Sequence, residues 1–173
     1  TSLEGRFGKA IDYQGGGYGQ TILSRFALGE VTIHTLPGEP DREQRVAVEA
    51  RVKLGGQEIS FVTTHLHHMS EPFRERQAAK LNEIFAKADR PVILAGDLNA
   101  TPESKPIALL KANWTIANAD PKQLTYPSAT PVKEIDYILA RPAARFRTVA
   151  AGVMAEPLAS DHRPVLAVLQ LQQ

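Results

Sequence analysis

The sequence predicts a layered sandwich of the α/β (α+β) class, on three observations. Runs with strand periodicity outnumber runs with helical periodicity, the helical runs fall between groups of strands, and turns bearing proline or glycine separate them. At 173 residues, 43% hydrophobic and 23% charged, the chain has the make-up of one domain with a real core. No repeat, linker or low-complexity stretch interrupts it, so residues 1–173 are read as a single domain.

Composition narrows function by exclusion. The 20 Lys and Arg against 19 Asp and Glu leave a net charge of +1, which argues against a protein that holds nucleic acid by a one-sided basic field alone. With 0 cysteines there is no disulfide, thiolate metal site or cysteine nucleophile. No apolar run approaches the ~20 residues of a membrane-spanning helix, and residues 1–9 carry neither a basic nor an apolar leader region. The chain is therefore expected to be soluble, with its compartment open; its start at Thr1 without methionine suggests a processed or trimmed end.

The elements follow in order. Gly15-Gly16-Gly17-Tyr18-Gly19 reads as a loop, a flexible lip beside the pocket, leading into a strand over 20–26 that carries Ile22 and Leu23. Alternation is clearest over 30–36 and 45–54, where Val46, Val48, Ala50, Val52 and Leu54 share one face. These are two half-buried antiparallel strands, joined by Pro37-Gly38-Glu39-Pro40-Asp41; Gly55-Gly56 then turns into a strand over 58–65. Over 71–88 the period changes, with Phe73, Gln77, Leu81, Ile84 and Phe85 at helical spacing. Val92-Ile93-Leu94-Ala95, within 91–96, fits a strand buried on both sides. A short helix over 103–111 follows Thr101-Pro102, where threonine can cap and proline suits the first turn. Strands over 133–140, 146–153 and 164–171 complete the set.

Four polar clusters lie at strand ends: Thr64-His65-Leu66-His67, Gly96-Asp97-Leu98-Asn99, Ile135-Asp136-Tyr137-Ile138 and Ser160-Asp161-His162-Arg163-Pro164. Each alone is ordinary, since Asp and Asn favour turns and a single strand histidine is usually packed or solvated. Together they reach the rim of a sheet, where strand ends converge on one pocket. Carboxylates there suit Mg²⁺ or Mn²⁺, and imidazoles donate to phosphoryl oxygens. A carboxylate bonded to a histidine also fixes its tautomer and favours its charged form.

In this order and spacing the motifs, with the glycine-tyrosine-glycine loop entering Ile22-Leu23-Ser24-Arg25, resemble the endonuclease/exonuclease/phosphatase superfamily, the deoxyribonuclease-I-like fold, over roughly 18–169. The resemblance implies a four-layer α/β/β/α sandwich of two mainly antiparallel sheets, and a metal-assisted in-line attack of water on phosphorus with Mg²⁺ or Mn²⁺ as cofactor. It implies that Asp97 orients or deprotonates the water and that Asn99 helps place nucleophile and phosphate. His162 would stabilise charge on the phosphoryl oxygens, Asp136 would fix and polarise that imidazole, and His65 would donate to a non-bridging oxygen. Asp161, together with Asp97, would lie at the metal.

The family pattern begins with an asparagine at the end of a first strand and then a glutamate that is the principal metal ligand. Neither stands in this sequence; Glu4 is too close to the glycine loop to match, and no apolar strand precedes it. The expectation is a domain lacking roughly its N-terminal third, with one sheet incomplete on that side and weak or no activity in this chain by itself. The open edge is expected to be covered by a partner chain, by a second copy in a homo-oligomer, or by a swapped segment.

The expected activity is hydrolysis of a phosphodiester or phosphomonoester in nucleic acid, a lipid headgroup or a small molecule. The alternative, from another class, is a non-catalytic interaction module that keeps the fold; a zinc hydrolase on the histidines is a third. Only residues two apart share a strand face, so His65 and His67 can point together and His68 cannot, which disfavours a three-histidine site. Trp114 is read as core, His67 and His68 as polar loop residues, Arg74, Arg76 and Lys80 as a solvated helix face, and Arg163 as a minor candidate for phosphate contact.

Overall fold

The computed structural model describes residues 2–39, 42–118 and 123–172. Thr1, at the expected trimmed start, and Pro40 and Asp41 of the expected loop lie outside them.

The chain opens with an antiparallel hairpin of β1 (Glu4–Tyr13) and β2 (Gly16–Ser24). No strand is expected over β1, because its pattern is inverted: small or polar Arg6, Gly8 and Ala10 face inward while Phe7 is exposed. The glycine run is correspondingly strand and not a lip. Only Gln14 and Gly15 turn, both with positive φ, and Gly19 lies so close to Gly8 that a Cβ would run into its backbone.

Six strands form the central sheet: β3 (Leu28–Thr35), β4 (Val46–Leu54), β5 (Gln57–His65), β6 (Val92–Asp97), the short β7 (Thr115–Ile116) and β8 (Asp136–Arg141), in the order β3-β4-β5-β6-β8-β7. Within it only β5 and β6 pair in parallel, and α1 (Glu71–Phe85) supplies the crossover such a pair needs. The second helix, α2 (Lys105–Lys111), starts after Ser104 with Pro106 in its first turn, two residues later than expected. Thr101 does not cap it: the Thr101 carbonyl accepts both the Ser104 N–H and Oγ, closing a turn ahead of the helix.

Alternation assigns each sheet residue to a face. Ala47, Val62, Val92, Leu94, Tyr137 and Leu139 pack against Ala78, Leu81 and Phe85 of α1 and Ile107 and Leu110 of α2. Trp114 belongs to this core, edge-on to Phe85 at 5.8 Å and donating to Asn82 Oδ1 at 2.8 Å. On the other face the β1–β2 hairpin lies over β3, β4 and β5, and a second hairpin, β9 (Phe146–Val153) with β10 (Val165–Leu171), lies against β8. Among the described residues these two ladders do not pair with each other. A groove of about 700 Å³ runs between them, floored by Ile59, Phe61, Ile93, Ala95 and Ile138. β6, expected to be buried on both sides, is therefore fully buried on the helix side only. The α/β sandwich stands, and its described residues form a helix layer, a six-stranded sheet and a second β layer split into two ladders.

Candidate active site

Pairing register brings the polar strand ends together. His65 at the end of β5 lies beside Asp97 at the end of β6, and Asp97 lies opposite Asp136, the first residue of β8. All three share the parity of Phe61, Ala95 and Ile138, so they emerge on the groove face at its rim. Two backbone features hold Asp97 there. Gly96 has φ +154°, and a Cβ would run into the Thr64 carbonyl oxygen, so this position requires glycine. Asn99 adopts φ 48°, a region asparagine tolerates; its N–H donates to Asp97 Oδ1 at 2.7 Å and its Nδ2 to Asp97 Oδ2 at 3.2 Å and the Leu66 carbonyl at 3.1 Å.

His162 arrives from the loop ahead of β10. Its Nδ1 donates to Asp136 Oδ2 at 2.8 Å, since the carboxylate can only accept, which turns Nε2 toward Asp97 Oδ2 at 3.9 Å. His65 Nε2 lies 3.4 Å from the same oxygen. Burial pushes the Asp97 carboxyl up to about 6; the Asn99 N–H opposes this and the Asp136 charge adds to it. Burial alone would lower the His162 imidazole, but the Asp136 hydrogen bond and the charges of Asp136, Asp97 and Asp161 outweigh it and raise it above 6.5. Burial, reinforced by Arg45 and His162, brings His65 down to about 4, so it is neutral at pH 7. One ligand atom each from Asp97, Asp136 and His162 lie within 4.8 Å of one another, a group that could hold a metal ion.

These residues open onto a cavity of about 530 Å³. His65, Asp97, Asn99, Asp161 and His162 all line it, so the expected site residues converge, with Asp136 behind His162; Asp161 stands on the wall and outside the three-residue group. His68, Arg74, Tyr126 and Lys133 line it as well. Arg74 departs from the solvated face expected for it: Nη1 donates to the carbonyls of His67 at 2.9 Å and His68 at 3.2 Å. Strand alternation stops at His65, so His68 and not His67 reaches the cavity. His67 is buried, and its Nδ1 accepts from the N–H groups of Met69 and Ser70 just ahead of α1. Arg163 Nε donates to the Ser128 carbonyl at 2.7 Å, a loop-holding contact.

Fold and site together define an α/β sandwich with a carboxylate–histidine centre at its sheet rim. The chain belongs to the endonuclease/exonuclease/phosphatase family, whose sequence profile matches residues 3–162. No curated protein sequence matches it. Among solved structures it is similar to a functionally unknown conserved protein from Enterococcus faecalis V583, with TM-score 0.83 and 19% identity over 99% of this chain and 78% of that one. It is similar also to a mannosyl-6-phosphatase from Bacteroides thetaiotaomicron VPI-5482, with TM-score 0.79 and 20% identity over 96% and 77% of the two chains. A third likeness is to D. rerio TDP2 complexed with a single-strand DNA product, with TM-score 0.75 and 20% identity over 98% and 77%. These likenesses establish the shared fold.

Proposed function

We propose that this chain carries the chemistry of a divalent-metal-dependent phosphoesterase that hydrolyses a phosphodiester or phosphomonoester with activated water. The observation that carries the reading is the Asp97, His162 and Asp136 cluster at the cavity wall. The chain's family membership and the phosphatase and DNA-bound relatives of the same fold support it.

A base that works near neutrality needs a proton affinity close to the working pH, and the raised Asp97 carboxyl meets that requirement. Asp97 accepts a proton from the attacking water, while Asn99, bonded to both carboxylate oxygens, keeps that carboxylate aimed. His162, whose bond to Asp136 favours its charged form, faces the anionic phosphoryl oxygens, and neutral His65 donates to one of them. The O–P bond to water forms as the bond to the leaving oxygen breaks.

The donors suit a hard cation. Asp97 and Asp136 offer carboxylate oxygens, and a cation would offset the burial and the Asp136 charge that raise Asp97; Asp161, on the same wall, is proposed with Asp97 as a ligand. Bound Mg²⁺ or Mn²⁺ supplies charge stabilisation at the phosphoryl group. The family's first asparagine and its glutamate ligand are not among these 173 residues, and we propose that the chain by itself is a weak catalyst for that reason.

Hydrolysis of bis-p-nitrophenyl phosphate and p-nitrophenyl phosphate, with Mg²⁺ or Mn²⁺, tests the reading on this chain and on the longest product of its gene. The expected result is metal-dependent turnover, stronger in the longer product and lost in Asp97→Ala. Inertness of both proteins toward both esters would replace it with the interaction-module reading.

A further inference from the structure

The hydrogen bond to Asp136 holds one edge of the His162 ring and leaves its two faces to be packed by other groups. The neighbouring side chains of its own loop leave those faces open, since Ser160, Asp161 and Pro164 are exposed. We propose that Tyr126 is the positioning residue that fixes the His162 ring; the proposal rests on the reading of His162 as the donor facing phosphate.

The two rings lie 4.8 Å apart, centroid to centroid, at 46°. Their meeting is built into the backbone. The residue before Tyr126 bonds the residue after His162, with the Arg163 N–H donating to the Thr125 carbonyl at 2.8 Å. Two residues beyond Tyr126, the Ser128 N–H donates to the carbonyl of Asp161, the residue before His162, at 2.7 Å. Arg163 Nε then donates to the Ser128 carbonyl at 2.7 Å. Thr125 and Ser128 are both buried, which shields their ends of these bonds from competing water. Tyr126 itself is held in a bridge to Lys133, its N–H donating to the Lys133 carbonyl at 3.1 Å and its carbonyl accepting the Lys133 N–H at 2.9 Å. The Lys133 ammonium lies 5.9 Å from the centre of the Tyr126 ring. Two loops are thus laced on both sides of one ring pair, which fixes the backbone positions from which the two rings meet. Fixing the plane keeps Nε2 aimed at the Asp97 side of the cavity, where the phosphoryl group would sit. The ring performs this role and the hydroxyl does not, so phenylalanine should serve in its place.

Two variants test this, Tyr126→Phe and Tyr126→Leu, each read in two ways. In solution NMR, the wild type and Tyr126→Phe should show a nuclear Overhauser contact between the residue-126 ring and the His162 imidazole, with one His162 χ1 rotamer; Tyr126→Leu should show rotamer averaging. Under steady-state hydrolysis of bis-p-nitrophenyl phosphate with Mn²⁺, Tyr126→Leu should lose about tenfold or more in kcat with KM nearly unchanged, and Tyr126→Phe should keep wild-type kcat. Absence of the contact in the wild type, or a single His162 rotamer in Tyr126→Leu, overturns the proposal even if that variant's turnover falls. A rise in KM alone also overturns it, since it makes Tyr126 a substrate platform. If Tyr126→Leu fails to fold, the wild-type and Tyr126→Phe spectra still decide. A wild type inert toward every ester counts against the hydrolase reading, while the spectra still decide whether Tyr126 positions the ring.

Discussion

The two faces of the central sheet are filled to different degrees. On the helix face Leu81, Leu94, Leu110 and Leu139 are all 0% exposed, and Trp114 closes the layer. On the other face Ile93, Ala95 and Ile138 floor an open groove, and Phe26 and Val168 on its walls are 50% and 48% exposed. Burial of apolar surface stabilises at ~25 cal/mol per Å², so the helix face holds the strands in place. His65, Asp97 and Asp136 extend from the same strands with the opposite parity, which separates the residues that stabilise from the residues proposed to react. Leu94 and Leu98 bracket Asp97 from the filled side while its carboxylate faces the cavity.

The largest effect expected from this division is on turnover. Asp97→Asn should lower kcat by about 10²–10⁴ in the ester assay, the scale of a lost general base. In the ester assay with Mg²⁺ or Mn²⁺ the pH profile should show an acid limb below the value of about 6 that Asp97 has without a cation, and an alkaline limb above 6.5 as His162 loses its proton. A profile flat from about pH 4 to 9 would detach both groups from the reaction.

Next in size is the contrast between the faces themselves. Leu94→Ala, in the filled layer, should cost about 2–5 kcal/mol of unfolding free energy by urea titration, whereas Val168→Ala on the groove wall should cost less than about 1 kcal/mol. Equal costs would show the groove face to be as tightly packed as the helix face.

The same Asp97→Asn substitution should act in the opposite direction on stability. A carboxyl raised in the folded state from 3.8 to about 6 carries a desolvation cost that appears between those values and is complete above them. Removing the charge should therefore stabilise the metal-free protein at pH 7.5 by about 1–3 kcal/mol, and by nothing below pH 3.8. Thermal melts at the two pH values read this directly.

Strand ends were legible in sequence because each polar cluster follows or opens an apolar run, and pairing in register was enough to join His65, Asp97 and Asp136. The stripe of Phe73, Gln77, Leu81 and Phe85 was legible because period alone places it inward, and Trp114 because a lone tryptophan after a helix is most often core. β1 was not, because its inward residues are Arg6, Gly8 and Ala10, and the opposing glycines of β2 replace side-chain packing with close backbone approach. Arg74, Tyr126 and Lys133 reach the cavity through the crossover of α1 and the lacing of two loops. Those contacts join distant parts of the chain and leave no local pattern. His68 escaped because strand alternation was carried three residues past the end of β5.

The smallest predicted effect tests whether the filled face is purely apolar in its stability. It is not: Glu49 of β4 lies there between His34 Nε2 at 2.9 Å and Ser60 Oγ at 2.5 Å, beneath Phe85, which meets the His34 ring edge-on at 5.6 Å. The His34 bond, opposed by burial and aided by Ser60, holds the Glu49 carboxyl below its ordinary 4.5. A carboxyl depressed on folding adds stability that is present above its unfolded value and lost as pH falls through the folded one. Glu49→Gln should therefore cost about 1–2 kcal/mol at pH 7, and the gap from wild type should shrink as pH falls below 4.5, as urea midpoints at pH 7, 5 and 3.5 would show. A gap that stays constant across that range would mean the glutamate acts by packing alone, and that the charge under α1 adds nothing to the face that holds the site in place.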